Sequence, residues 1–161
     1  MIRRRMAEVS ADTPEARVRE LLEEVVDALD LDAEIQVSDD GEVVTGTLVG
    51  EDLGLVIGRH GQTIDALQHL AWRIAVRESD ERRRVVIDAA GYRDRRAAAL
   101  QAQADQAVAD ALRFSRPVAL DAMTASDRKV VHEYLRDRGD VETYSEGDEP
   151  DRHLVVAPLT P

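Results

Sequence analysis

The sequence predicts an α+β protein made of two small units joined by a long helix. Three observations carry this. The hydrophobic period switches between about 3.6 and 2 residues several times along the 161-residue chain. The apolar stock is aliphatic, 43% of residues being hydrophobic and only 3% aromatic. One stretch, 92–114, keeps a narrow stripe of mostly small apolar residues at helical spacing. The length suits one average domain or two small ones. The organisation expected is a flexible polar lead-in over 1–12, a first unit over 13–90, and a second over 91–161 that includes the connecting helix.

Each element has a local reason. Thr13 before Pro14 is a cap followed by a favoured first helical residue. Val18, Leu21, Leu22, Val25, Val26 and Leu29 then recur at helical spacing, predicting a helix over 14–29. Ala33, Ile35 and Val37 alternate with polar residues, Asp39-Asp40-Gly41 makes a turn, and 42–49 reads as the return strand of a hairpin. Glu51 and Asp52 open a short helix that stops at Gly58. Past Gly61, a helix over 62–77 carries Ile64, Leu67, Leu70, Ala71, Ile74 and Ala75 on one face. A strand over 83–89 completes an α-β-β-α-α-β order. After the 92–114 helix, Pro117 breaks the chain and 118–120 reads as a short strand. Thr124 or Ser126 caps a helix running to about Arg138, which Gly139 ends. Strands over 141–145 and 153–157 close the chain, linked by an acidic loop.

Composition excludes several classes. With no cysteine there is no disulfide scaffold and no thiolate metal site, and a cytoplasmic location fits. The basic N-terminus has no apolar run behind it, so it is not read as a secretory signal. No stretch approaches the roughly 20 apolar residues of a membrane span, so no membrane insertion is expected. The four histidines stand far apart and no pair has a tight metal-ligand spacing. Neither a Gly-x-Ser-x-Gly elbow nor a Walker-type loop is present. No catalytic residue, metal or cofactor is therefore assigned.

The net charge of −12 opposes nucleic-acid binding, but its distribution is uneven. Residues 6–58 hold 15 acids against 2 arginines, whereas 59–96 hold 9 arginines against 6 acids. The positive region begins at the corner Gly58-Arg59-His60-Gly61. All but one of the 21 basic residues are arginine, which suits phosphate binding and base stacking, although a GC-rich genome would give the same bias. The corner joins two helices, and the second starts with unpartnered N–H groups that favour a phosphate. Glycines there let a sugar–phosphate backbone approach closely. Further on, Arg128 and His132 lie four apart on a predicted helix and share a face, where together they can grip a phosphate and stack on a base. The alternative makes His132 a structural residue. In Tyr92-Arg93-Asp94-Arg95-Arg96, arginines at a helix start oppose the dipole, which signals either phosphate contact or pairing with nearby acids.

In sequence context these short motifs become specific. GEDLGLVIGRHGQTIDALQHLA, after a helix and hairpin and before a strand, resembles a KH domain of the bacterial topology (type II). RPVALDAMTASDRKVVHEYL followed by VETYSEGDEPDRHLVVAP resembles an R3H domain. The order resembles the Jag family, also called SpoIIIJ-associated or KhpB proteins, from about Thr13 to Pro158. The expected form is a short one, without the family's extra N-terminal Jag domain. The resemblance implies that Gly58, Arg59, His60, Gly61 and Gln62 hold an RNA backbone, with an apolar surface behind them for bases. Arg128 and His132 would give a second contact, and Arg93, Arg96 and Lys129 extend the candidate list. It also implies single-stranded RNA as ligand, a stand-alone KH-domain protein as hetero-oligomer partner, and a cytoplasmic RNA chaperone or post-transcriptional regulator linked to cell envelope growth and cell shape. The competing reading is a protein–protein scaffold that uses the same surfaces without RNA.

Overall fold

A computed structural model describes residues 12–76 and 83–159. The chain divides into two compact units, one through Tyr92 and one from Arg93. The lead-in expected over 1–12 lies outside the described residues except for Asp12, as does residue 77 of the helix expected over 62–77.

The first unit runs α1 (Pro14–Ala28), β1 (Ala33–Asp39), β2 (Val43–Gly50), α2 (Gly54–Ile57), a 3-10 turn (Arg59–Gly61), α3 (Gln62–Ala75) and β3 (Arg84–Ala89). Thr13 caps α1, its hydroxyl accepting from the Ala16 N–H at 3.2 Å. The sheet order is β1-β2-β3, with β1 antiparallel and β3 parallel to β2. The hairpin turn is held by Asp40, whose carboxylate accepts from the N–H groups of Glu42 and Val43 at 2.8 and 2.7 Å. Those bonds hold the Asp40 carboxyl below its ordinary pKa. Helices α1 and α3 cover the sheet, and Val18, Leu22, Val44, Leu48, Ile64 and Ile87 are fully buried between them. Each such side chain contributes roughly 1.5–3 kcal/mol. Gln68 of α3 ties the layers together, its Oε1 accepting from the Ile87 N–H at 3.0 Å.

The second unit contains α4 (Tyr92–Phe114, whose first residue counts with the first unit), β4 (Val118–Ala119), α5 (Ala125–Leu135), β5 (Val141–Glu146) and β6 (His153–Pro158). Its sheet order is β4-β6-β5, all antiparallel. Leu100, Ala104, Ala107, Val108 and Ala111 of α4 enter a core with Val131, Leu135, Leu154 and Val156. The alanines let the helix backbone approach closely. Tyr134 of α5 donates its hydroxyl to both oxygens of Asp105 at 3.1 Å, and that hydrogen bond raises the phenol's pKa.

Several expectations need correction. Leu70 and Ile74 were expected on the core face of α3 but are exposed, because the sheet takes only Ile64, Leu67, Ala71 and Ala75. The short helix begins at Gly54, since Asp52 adopts a left-handed φ of 55° that no helix accommodates. Thr124 caps α5, accepting from the Asp127 N–H at 3.3 Å. That helix ends at Leu135 rather than near Arg138. Arg138 pairs with Asp140, two residues on, at 2.7 and 2.9 Å. Residues two apart do not face each other on a helix, so this pair forms only where the chain has left it.

Candidate nucleic-acid interface

The corner between α2 and α3 is built from left-handed backbone. Gly58, His60 and Gly61 have φ of 73°, 52° and 78°. A Cβ on Gly58 would collide with the side chain of Thr63 and lie 2.8 Å from its backbone nitrogen. A Cβ on Gly61 would lie 2.7 Å from Cε1 and 2.8 Å from the hydroxyl oxygen of Tyr92. Both positions therefore require glycine, for conformation and for space. Gly61 is the N-cap of α3, and no side chain caps that helix. The Gln62 N–H donates to the Arg59 carbonyl. The positive end of the α3 dipole, more than free N–H groups, is therefore what attracts an anion here, with Asp65 the one acid in the first turn. Arg59 and His60 are exposed, and among the described residues neither side chain makes a hydrogen bond or ion pair. Gln62, the first residue of α3, is also exposed. Of the apolar residues before the corner, Val56 is buried in the core, Ile57 is half-buried and Leu55 is exposed. The opposite electrostatic sign gathers elsewhere on this unit. An open cleft of about 580 Å³ is lined by Asp30, Asp32, Glu34, Glu51 and Asp52, which repel a polyanion.

The geometry gives a local prediction. Gly58→Ala is expected to lower stability by about 2 kcal/mol, from the left-handed backbone and the Thr63 collision together. Gly54→Ala, where an added Cβ meets nothing within 4 Å, is expected to be neutral or mildly stabilising. Urea unfolding of the two variants checks this. Equal midpoints would mean the corner has relaxed to ordinary backbone.

On α5 the expected exposed pair separates. His132 is exposed, with Nδ1 2.6 Å from the Thr143 hydroxyl of β5. Its Nε2 has no partner among the described residues. Arg128 is not on the surface, its side chain being 10% exposed. Its guanidinium donates to the Met123 carbonyl at 2.7 Å and meets Glu149 at 2.8 Å. It clamps the start of α5 to the loop before it and to the β5–β6 loop. Arg96 donates through Nε and Nη2 to Asp127 at 3.1 and 2.7 Å. The acid-pairing alternative for the arginine-rich start of α4 therefore holds at Arg96, which offsets the dipole cost. Arg93 is half-buried and already engaged. Lys129 is exposed, 3.8 Å from Glu133.

A family model described as the KhpA/KhpB KH domain matches residues 15–87 of the chain, and an R3H domain model matches residues 98–158. The chain belongs to the KhpB family. A Clostridium symbiosum protein named RNA-binding protein KhpB is 32% identical over 148 residues, which is 91% of this chain and 67% of the relative. One of the same name from Lactiplantibacillus plantarum is 36% identical over 133 residues, covering 83% of this chain and 41% of the relative. A third, from Bacillus subtilis, is 29% identical over 138 residues, covering 84% and 66%. The chain thus spans about two thirds of the first and third relatives and about two fifths of the second.

Within this KH–R3H frame, the glycine corner falls in the matched KH segment and α5 in the matched R3H segment. Sequence reasoning missed the residues that hold them. Tyr92, packed on Gly61, was visible only as a helix start. Thr143 and Glu149 lie inside the quoted stretch VETYSEGDEP, but nothing local says that they reach His132 and Arg128. Nothing local marks Asp127 as the partner of Arg96; the available signal was the run of arginines at the helix start, which called for either a phosphate or an acid.

Proposed function

We propose that this protein binds single-stranded RNA through the Gly58–Gly61 corner of its KH unit, with His132 of the R3H unit as a second contact. The observation that carries this is the corner itself. Two exposed basic side chains, without partners among the described residues, sit between Gly58 and Gly61 at a helix start with no side-chain cap, and His60 itself has left-handed backbone. In a chain of net charge −12, two cations left unpaired among the described residues are available to an anion. Gln62 adds a polar group to the corner of the KH unit, and Lys129 adds a charge to α5 of the R3H unit. Arg93 and Arg96 enter only by giving up existing partners. Arg128 reaches a phosphate only by exchanging Glu149, whose side chain is 61% exposed.

The name shared by the relatives, RNA-binding protein KhpB, supports the ligand class. The family resemblance supports an RNA chaperone or post-transcriptional regulator in the cytoplasm, linked to cell envelope growth and cell shape, with a stand-alone KH protein as partner.

The test is a titration of labelled single-stranded RNA with the whole chain at several salt concentrations, with and without that partner. Binding by the chain alone is expected to be weak. Its salt slope should correspond to roughly 3–5 phosphates at about 0.7 each. Added partner should tighten binding, because a second contact on one strand is effectively intramolecular. Absence of RNA binding at low salt sinks the reading. A nanomolar affinity indifferent to salt and partner sinks the phosphate-contact account.

A further inference from the structure

The C-terminal end of α4 carries a feature that neither the glycine corner nor α5 explains. Phe114, the single phenylalanine of the chain, closes the helix with 52% of its surface exposed. Two guanidiniums flank its ring, Arg113 with Cζ 5.2 Å and Arg116 with Cζ 5.4 Å from the centroid. Arg116 comes back over the ring because Ser115 takes a left-handed φ of 48° and the Arg116 N–H donates to the Ala111 carbonyl at 3.2 Å.

Both arginines are exposed, and among the described residues neither guanidinium has a hydrogen bond or ion pair. Elsewhere in the unit, Arg96, Arg128 and Arg138 are each held by a carboxylate within 3 Å. The chain from Ala111 to Leu120 contains no acid at all, although 33 of the 161 residues are acidic. Arg113 in the last turn complements the helix dipole, which accounts for one charge but for neither Arg116 nor the exposed ring. A half-exposed aromatic ring carrying two guanidiniums that no carboxylate among the described residues holds suits a single-stranded nucleic acid. A base stacks on the ring or on a guanidinium plane, and the adjoining phosphates meet the charges.

We propose that Arg113, Phe114 and Arg116 form a base-stacking and phosphate-binding contact for single-stranded RNA, made of residues distinct from the Arg128–His132 pair of α5. The inference rests on the RNA-binding reading above and adds a site to it. Phe114 supplies stacking without base identity, so purines, which stack best, are preferred there.

The experiment titrates the full chain and its variants against labelled single-stranded oligoadenylate and oligouridylate at several salt concentrations, with a thermal melt of each variant. Phe114→Ala should weaken oligoadenylate binding about fivefold or more, leave the salt slope unchanged and reduce the preference for oligoadenylate. Phe114→Tyr, which keeps the ring, should match the parent. Arg113→Gln with Arg116→Gln should lower the salt slope by about 1.4, the loss of two phosphate contacts. If Phe114→Ala does not fold, the double glutamine variant still decides the matter through its salt slope, a parent-like slope overturning the proposal. The proposal is overturned if the parent binds and substitution at Arg59 and His60 weakens it, while Phe114→Ala and the double glutamine variant bind like the parent. A parent that binds neither oligonucleotide overturns the RNA-binding reading, and this site with it.

Discussion

Replacing Arg59 and His60 together by Asp is expected to lower affinity for single-stranded RNA about tenfold or more while leaving the melting temperature unchanged. The fold should tolerate the change because both side chains are exposed and have no partner among the described residues. Position 60 has a left-handed φ of 52°, a conformation that Asp adopts more readily than most residues. The affinity should fall because two carboxylates would stand at the mouth of the uncapped N-terminus of α3, where a phosphate would be held. Each tenfold loss corresponds to about 1.4 kcal/mol, a modest demand on two charges placed beside a phosphate. The loss should shrink as salt rises, since it is mostly electrostatic. RNA titration and a thermal melt on the same preparation check both halves. Unchanged affinity at low salt would remove the corner from the RNA-binding surface.

Arg128→Ala and His132→Ala are expected to fail in different ways, although the two residues lie one helical turn apart. Arg128→Ala should cost about 2 kcal/mol, by removing a charge-assisted hydrogen bond to the Met123 carbonyl and the pair with Glu149. Arg128→Lys should recover only part of this, because one ammonium cannot reproduce the fork that reaches both partners. His132→Ala loses one exposed contact to Thr143 and should change stability little. Its cost should appear in RNA affinity, through loss of an imidazole whose Nε2 is available to a phosphate. Thermal melts and RNA titrations of the two variants, run side by side, separate these effects. A parent-like melt for Arg128→Ala would contradict the clamp. An unchanged affinity per folded molecule for His132→Ala, with a large drop in melting temperature, would make that histidine structural.

The order of elements was legible because local patterns govern it. Thr13-Pro14 starts α1, the alternation at 33–37 marks β1, and the 92–114 stripe returns as α4 with the same bounds. The glycine corner was legible for a similar reason, since positive φ at Gly58 and Gly61 is a local demand that glycine meets. Spacing likewise places Arg128 and His132 on one helix.

What spacing does not carry is which part of a helix face meets another layer. Leu70 and Ile74 follow the helical period of α3 as faithfully as Leu67 and Ala71, yet only the latter two are buried. Arg128 becomes a clamp because Glu149, 21 residues on, is brought to 2.8 Å from it, and Arg96 is neutralised by Asp127 from 31 residues away. Arg113 and Arg116 gain their significance from the opposite outcome, since no carboxylate among the described residues reaches them. Sequence by itself determined the elements, their order and the chemistry each could offer, because backbone preference and side-chain period act over a few residues. The tertiary structure alone decided which charges are spent inside the protein and which remain for a ligand, because ion pairing and burial depend on partners that only folding brings within reach.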